Sequence, residues 1–314
     1  MHVPTPNAHI QFLTFRPAYV DRLRVWTPDR LSRRQLDQIE RACEGGLHPV
    51  EGPAPFGPSP GYYRWKLESE QPPLAALKLF ARLDDGAIVN ALEIAADVRA
   101  PDPVSNAALL TLFQNHCLQC GHRSTMVPHV YRRGSQATGF TTRKTRAKGT
   151  RRTGTWLQCY NDRECRFTER PDCCHFEYKF ESVQSTRRIR SSGSQSSAIC
   201  HPRDLLTFDL GGWLASRLSF YVVDPGRLGR YDYNRCSGSR RQRTTDADVR
   251  RGTRLYDGLS RHEDGQHSLQ RFVDKYGRGP FLVPFSPTLY DDHGHSHDLL
   301  SLIREGQPFP PSTP

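Results

Sequence analysis

Five side chains spread over three short apolar stretches of this chain have the types needed to act on a phosphate ester: Glu93, Asp97, Tyr160, Arg163 and Glu177. In ALEIAADV (91–98), strand alternation sends Leu92, Ile94, Ala96 and Val98 to one face and Glu93, Ala95 and Asp97 to the other. Four apolar residues mark the first face as core. The second holds two carboxylates about 13 Å apart on an extended strand. CHFEYKF (174–180) repeats the pattern, with Cys174, Phe176, Tyr178 and Phe180 pointing one way and His175, Glu177 and Lys179 the other. If the two strands share a sheet, Glu93 and Glu177 converge within reach of a hard divalent cation such as Mg²⁺, with the Asp97 carboxylate on the same face. A lone acid in such a place is ordinarily just solvent-facing. Two acids, each centred in an apolar strand of a strongly cationic protein, favour a site.

Tyr160 closes the stretch TWLQCY, with Trp156 and Gln158 on its face and Asn161, Asp162 and Arg163 beyond it. A tyrosine at a strand end is usually a core or rim residue. Beside an arginine and a metal-bound phosphate, its phenolate can instead attack phosphorus. Tyr131, in a basic stretch, is the rival nucleophile; Tyr178 points toward the expected core.

Cysteine and histidine offer a second chemistry. Cys117 and Cys120 form a C-x-x-C knuckle flanked by His116 and His122, half of a structural Zn²⁺ site that Cys165 and Cys173 would complete. Free thiols are the competing reading. Cys159 and Cys174 fall on buried strand faces and read as packing. The cluster YDDHGHSHD (290–298) reads as a solvated loop with adventitious metal affinity, because glycine and serine separate its histidines. Nine cysteines, odd in number and irregularly spaced, argue against a disulfide framework.

The partner class follows from charge. The net charge is +11, and 38 of the 44 basic residues are arginine, whose planar fork suits phosphates and base edges. From Arg123 to Arg152 the sequence carries nine cations and no acid, among them Arg132, Arg133, Arg143, Lys144, Arg146, Lys148, Arg151 and Arg152. Such an uncompensated run has the footprint of a segment that tracks nucleic-acid phosphates. The chain has no apolar run long enough to span a membrane and no signal-like start, so the expectation is a cytoplasmic, nucleic-acid-binding protein without membrane contact.

The elements that must position these residues alternate short strands with helices. Strands are expected over 10–15, 20–26, 62–69, 87–98, 125–133, 154–160 and 174–180. Helices are expected over 31–43, opened by Thr27-Pro28, over 72–83, and over 106–118, capped by Ser105. A helix or strand–helix pair fits 204–223. Residues 226–265 are polar and basic with little periodicity and are expected to be loop or partly flexible. The whole reads as an α+β fold of short strands in largely antiparallel sheets with interleaved helices, open to a division into two similar halves. A boundary is expected near 190, separating a catalytic and DNA-binding region (1–190) from a C-terminal extension (191–314).

The order of parts resembles the rolling-circle replication initiators of plasmids and filamentous phages (the Rep-trans group). NALEIAADV resembles the family's E-x-x-x-D strand and VYRRGS (130–135) its tyrosine/glycine/serine strand. WLQCYNDR (156–163) is similar to its strand ending in tyrosine, acid and base, and CHFEYKF to its strand with a central glutamate. The resemblance covers roughly residues 8–185. It implies that Tyr160 nicks one strand at a replication origin, becomes linked to the 5′-phosphate and leaves a 3′-OH to prime synthesis. It further implies that Glu93 and Glu177 hold Mg²⁺ or Mn²⁺, that Arg163 neutralises the scissile phosphate and that the basic segment tracks origin DNA. A host helicase or polymerase and a second copy of the chain would be its protein partners. The alternative is a non-catalytic DNA-binding regulator of a mobile element, stabilised by zinc.

Overall fold

The computed structural model describes residues 10–29, 31–43, 47–51, 65–119, 129–133, 136–141, 155–161, 173–187, 189, 198–237, 244–260 and 268–305. In chain order the strands are β1 (Ile10–Gln11), β2 (Thr14–Thr27), β3 (Leu47–Glu51), β4 (Trp65–Glu70), β5 (Ile88–Arg99), β6 (Cys117–Gln119), β7 (His129–Arg133), β8 (Gln136–Thr141), β9 (Thr155–Tyr160), β10 (Cys173–Phe180), β11 (Leu218–Val223), β12 (Leu282–Phe285), β13 (Thr288–Tyr290) and β14 (Ser296–Asp298). The helices are α1 (Arg33–Ala42), α2 (Leu74–Phe80), α3 (Pro103–His116), α4 (Val183–Thr186), α5 (Leu210–Arg217), α6 (Pro225–Ser237), α7 (Asp246–Ser260), α8 (Ser268–Tyr276) and α9 (Leu299–Arg304).

Eight strands form one antiparallel sheet in the order β3-β4-β2-β5-β10-β9-β8-β7. Two further sheets have three strands each, β1-β13-β14 and β12-β11-β6, and among the described residues only the β1–β13 pair is parallel. The fold is α+β. β5 sits mid-sheet between β2 and β10, which is why it is buried along nearly its whole length. On the apolar face Phe176 stacks on Phe113 of α3, with ring centroids 4.5 Å apart, and Tyr178 meets Trp213 of α5 edge-on at 5.3 Å. Leu210, Trp213 and Ile303 belong to the same core cluster as side chains of β5 and β10.

Several local expectations are corrected. The two N-terminal strands are largely one, β2, which runs 14 residues through Pro17 and breaks register with β5 at Arg16/Tyr19, Val20/Arg22 and Arg24/Val25. Because β2 continues to Thr27, Thr27-Pro28 caps nothing. Ser32 caps α1 instead, in a reciprocal box with Gln35. Asp102, not Ser105, caps α3, taking Val104 N at 2.7 Å and Ser105 N at 2.9 Å, with Pro103 in the first helical position.

The stretch expected as loop over 226–265 is helical in its described part, in α6 and α7. The two helices touch through glycine: a Cβ on Gly229 would strike Asp248 O, and one on Gly252 would strike Pro225 O. Leu228 then packs with Tyr231, Leu255, Tyr256, Phe272, Tyr276 and Phe281 in a second cluster. That apolar stripe is narrow, and the arginines between its members mask its period. Among the described residues no helix is long and apolar enough to cross a membrane.

Candidate functional site

Side chains opposite one another on neighbouring strands share a face. The register places Arg16, Asp97, His175 and Tyr160 in one row across β2, β5, β10 and β9. The next row is Tyr19, Ala95, Glu177 and Gln158, and the third is Arg22, Glu93, Lys179 and Trp156. The two strands read as bearing acids are thus adjacent, with those acids on one face. Ala95, the smallest member, leaves room in the middle row.

The first row is tightly bonded. Asp97 accepts the hydroxyl of Tyr19 at 2.8 Å on Oδ2 and meets His175 Nδ1 at 2.6 Å on Oδ1, with the Arg16 guanidinium 3.9 Å away. With Nδ1 fixed there, Nε2 of His175 faces Glu177 Oε2 at 3.5 Å. Lys179 Nζ lies 2.8 Å from Glu177 Oε1 and 3.1 Å from Glu93 Oε2, and Arg22 stands 3.8 Å from Glu93 Oε1. These contacts with Glu177 are ionic in distance, but neither Glu177 oxygen nor His175 Nε2 makes a well-directed hydrogen bond. Glu177 is 1 % exposed, so its carboxylate is charged, buried and incompletely satisfied.

Asp21 completes the arrangement. Strict alternation along VDRLRVW would send it inward with Leu23 and Val25. The bulge between Val20 and Arg22 turns it instead toward His175 and Glu177. One ligand atom from each of Asp21, His175 and Glu177 lies within 4.8 Å of the other two. Gln71 holds Asp21 in place, its backbone N–H donating to Asp21 O at 2.6 Å and its side-chain amide to Oδ1 at 3.0 Å, while its Oε1 accepts from Arg16 at 2.9 Å. Gln71 does so from the left-handed region, at φ 46°, the sole non-glycine residue there among those described.

Protonation follows this crowding. Burial pushes the Asp21 carboxyl up, and the charges of Glu177 and Asp97 add to that while His175 opposes it. Burial also raises Glu93, reinforced by Glu177 and only partly offset by Lys179 and Arg22. Asp97 and Glu177 stay low because His175 outweighs their burial. Burial would lower His175, but the hydrogen bond to Asp97 and the nearby charges of Asp97 and Glu177 carry it well above its ordinary value. Burial and the Asp97 charge raise the Tyr19 phenol, which stays a neutral donor. The Asp21 and Glu177 carboxylates and the His175 imidazole, with orphaned buried atoms on Glu177 and His175, form a donor set that fits a divalent cation; imidazole among the donors suits Mn²⁺ better than Mg²⁺.

Tyr160 lies at the rim of this cluster, half-buried, its ring centroid 4.7 Å from that of His175 and tilted 31° to it. Of the other expected site residues, Glu93 is taken up by Lys179 and Arg22, and Asp97 by His175 and Tyr19. Arg132 and Arg133 end β7, at the sheet's edge. Arg163, Arg143, Lys144, Arg146, Lys148, Arg151 and Arg152 lie outside the described residues, as do Cys120 and Cys165 of the expected zinc set. Cys117 is half-buried and Cys173 buried. Cys159 and Cys174 touch in the core, sulfurs 3.6 Å apart.

No model of a known protein family matches the chain, and no curated protein does. Among solved structures it is similar to a rolling circle replication initiator protein from Geobacillus stearothermophilus, at 11% identity and a TM-score of 0.37, over 77% of this chain and 95% of that one. A superposition that loose sets neither fold nor function, and the reading below is built on the geometry.

Proposed function

We propose that this protein is a DNA replication initiator that nicks one strand at an origin through a transient bond between Tyr160 and the 5′-phosphate, in a reaction that depends on Mg²⁺ or Mn²⁺. One observation carries the reading: Tyr160 packs its ring on His175, a member of an acid–imidazole–acid cluster in which His175 Nε2 and both Glu177 carboxylate oxygens are buried without directed hydrogen bonds. In the step itself, Tyr160 Oη bonds to phosphorus and the bond from phosphorus to the 3′ oxygen breaks. The phenol loses its proton, and the departing 3′ oxygen takes its electron pair and gains one. No water is consumed, so the phosphoester energy is kept for rejoining.

Asp21, His175 and Glu177 are the residues that would hold the cation, which supplies Lewis-acid polarisation of the phosphoryl oxygens. Asp97 and Tyr19 fix the plane of His175, Gln71 fixes Asp21, and Lys179 balances Glu93 and Glu177. Arg163 is assigned to the scissile phosphate from the resemblance of WLQCYNDR (156–163) to the initiators' strand ending in tyrosine, acid and base.

The competing reading is a degenerate, DNA-binding protein that keeps the face for stability, and the near-complete burial of Glu177 favours it. Nicking of supercoiled plasmid with Mn²⁺ or Mg²⁺ decides between them. Wild-type protein is expected to nick and to form a covalent adduct, and Tyr160→Phe to do neither. Equal activity in the two removes Tyr160 from the mechanism, and no activity in either leaves the binder.

A further inference from the structure

Glu177 presents its two oxygens to two different neighbours. Oε2 faces His175 Nε2 at 3.5 Å, within the cluster that includes Asp21, and Oε1 faces Lys179 Nζ at 2.8 Å. Lys179 stands directly across from Glu93 in the register of β5 and β10 and donates to Glu93 Oε2 at 3.1 Å. One ammonium thus sits between carboxylates of two neighbouring strands, in the position expected of a divalent cation from the pattern of those strands. The place is largely closed to water: the Lys179 side chain is 16% exposed, that of Glu93 8% and that of Glu177 1%. The next cation, Arg22, is 3.8 Å from Glu93 Oε1 and is shared with Glu70 at 3.1 Å.

We propose that Lys179 is a tethered cation filling a second divalent-cation position, between Glu93 and Glu177, so that the centre takes one free divalent ion instead of two. That the first ion lies among Asp21, His175 and Glu177 rests on the reading given above. Three features support the tethered cation. A carboxylate whose oxygens face two separate cation positions is the bridging ligand of two-metal centres, where ions about 3.5–4 Å apart clamp a phosphoryl group. An ion and an ammonium cannot share one pair of oxygens, since Mg²⁺ draws its oxygens to about 2.0–2.1 Å, inside the 2.8 and 3.1 Å that Nζ keeps. Neither Glu177 oxygen gains a directed hydrogen bond although Nζ is at contact distance. The lysine therefore supplies charge and leaves the coordinating lone pairs unspent. A compact ammonium on a flexible stem can do this where the planar fork of arginine could not. Because the stem holds it there, this share of the neutralising charge does not depend on the concentration of divalent ion.

The test counts Mn²⁺ bound to the full chain, from the loss of the EPR signal of free Mn²⁺. Wild-type protein is expected to bind about one ion, Lys179→Met about two, and Lys179→Met with Glu93→Gln about one. Methionine keeps most of the apolar stem and removes the charge. Lys179→Met binding no more than wild type overturns the tethered cation, and so does a second ion that survives Glu93→Gln. If wild type binds none and Lys179→Met binds one, the tethered cation stands and the metal reading of Asp21, His175 and Glu177 falls. One ion in each leaves that reading and strikes the lysine, and no ion in any folded variant strikes both. Lys179→Met leaves two buried acids uncompensated, which can prevent folding. Glu93→Gln alone then decides: with the ammonium in place the single ion is expected to stay bound. A loss of affinity beyond about 100-fold, more than an outer-shell partner contributes, would make Glu93 a ligand of that ion and overturn the proposal.

Discussion

Two parts of this chain bring aspartate or glutamate together with histidine, and they differ in what surrounds them. In the β13–β14 hairpin, Asp291 accepts the backbone N–H of His293 at 3.0 Å and of His295 at 2.8 Å, and meets the rings of His295 at 3.2 Å and His297 at 3.0 Å. Its carboxylate is spent on closing a turn, and the histidines around it are largely exposed. In the sheet, Asp97 performs a similar service for His175, but a second acid, Glu177, stands beyond with no directed hydrogen bond. The hairpin is dense in histidine and internally satisfied. The cluster in the sheet holds one histidine and an unsatisfied charge. Unmet demand in a buried place, rather than the number of ligating residues, marks the site.

That contrast can be broken most forcefully at the metal. Glu177→Gln is expected to weaken Mn²⁺ binding by more than about 100-fold, beyond what an outer-shell partner contributes, as read by calorimetry or Mn²⁺ EPR. His295→Ala with His297→Ala is expected to leave it within about twofold. Equal losses would move the cation to the hairpin. Next in size is stability. Asp97→Ala strips a buried imidazole and a buried phenol of their acceptor and is expected to cost about 3–5 kcal/mol in denaturant unfolding; Asp291→Ala, on an exposed turn, is expected to shift the midpoint far less.

A finer separation comes from Gln71→Gly. Release of the left-handed strain, about 1–2 kcal/mol, offsets the lost side-chain hydrogen bonds, about 1 kcal/mol each. Stability should therefore stay within about 1 kcal/mol of wild type, while Mn²⁺ affinity falls about 10-fold as Asp21 loses its holder. The smallest effect belongs to pH. The hydrogen bond to His297 chiefly holds the Asp291 carboxyl well below its usual range. A depressed folded-state value means that its contribution is present above the unfolded value, about 3.9, and is lost as pH falls below it. Protection of the His293 and His295 amides, measured relative to their intrinsic exchange rates, should fall only on that acid side.

Much of the sheet could be read from the chain because alternation in ALEIAADV and CHFEYKF is regular, and Glu93, Asp97, His175 and Glu177 lie on the faces it assigns. Tyr160 shares that face for the same reason. Asp21 could not be read, since a bulge reverses the parity of VDRLRVW, and a bulge depends on how β2 pairs rather than on local propensity. Nor could the partners of the acids. Lys179 and Arg22 reach Glu93, and Tyr19 reaches Asp97, only across strands, so a carboxylate in the right row gives no sign of whether it is already engaged. The helices α6 and α7 escaped because arginines dominate their composition, and the glycines that let them pack look like loop residues until the partner helix is present.

The hydrogen bonds that orient His175 have a consequence for how the protein folds. Tyr19 and His175 each lie 78 residues from Asp97 in sequence, on opposite sides of it. Chain ends that far apart must be brought together before either bond forms, and the entropy of closing such loops is lost before any contact repays it. β2, β5 and β10 must all be docked before the imidazole has a fixed plane. A chain still emerging from the ribosome, with residue 173 not yet released, can hold a helix or a hairpin but no part of this centre in working form. The centre is therefore assembled in one late step, with the central strand pairs.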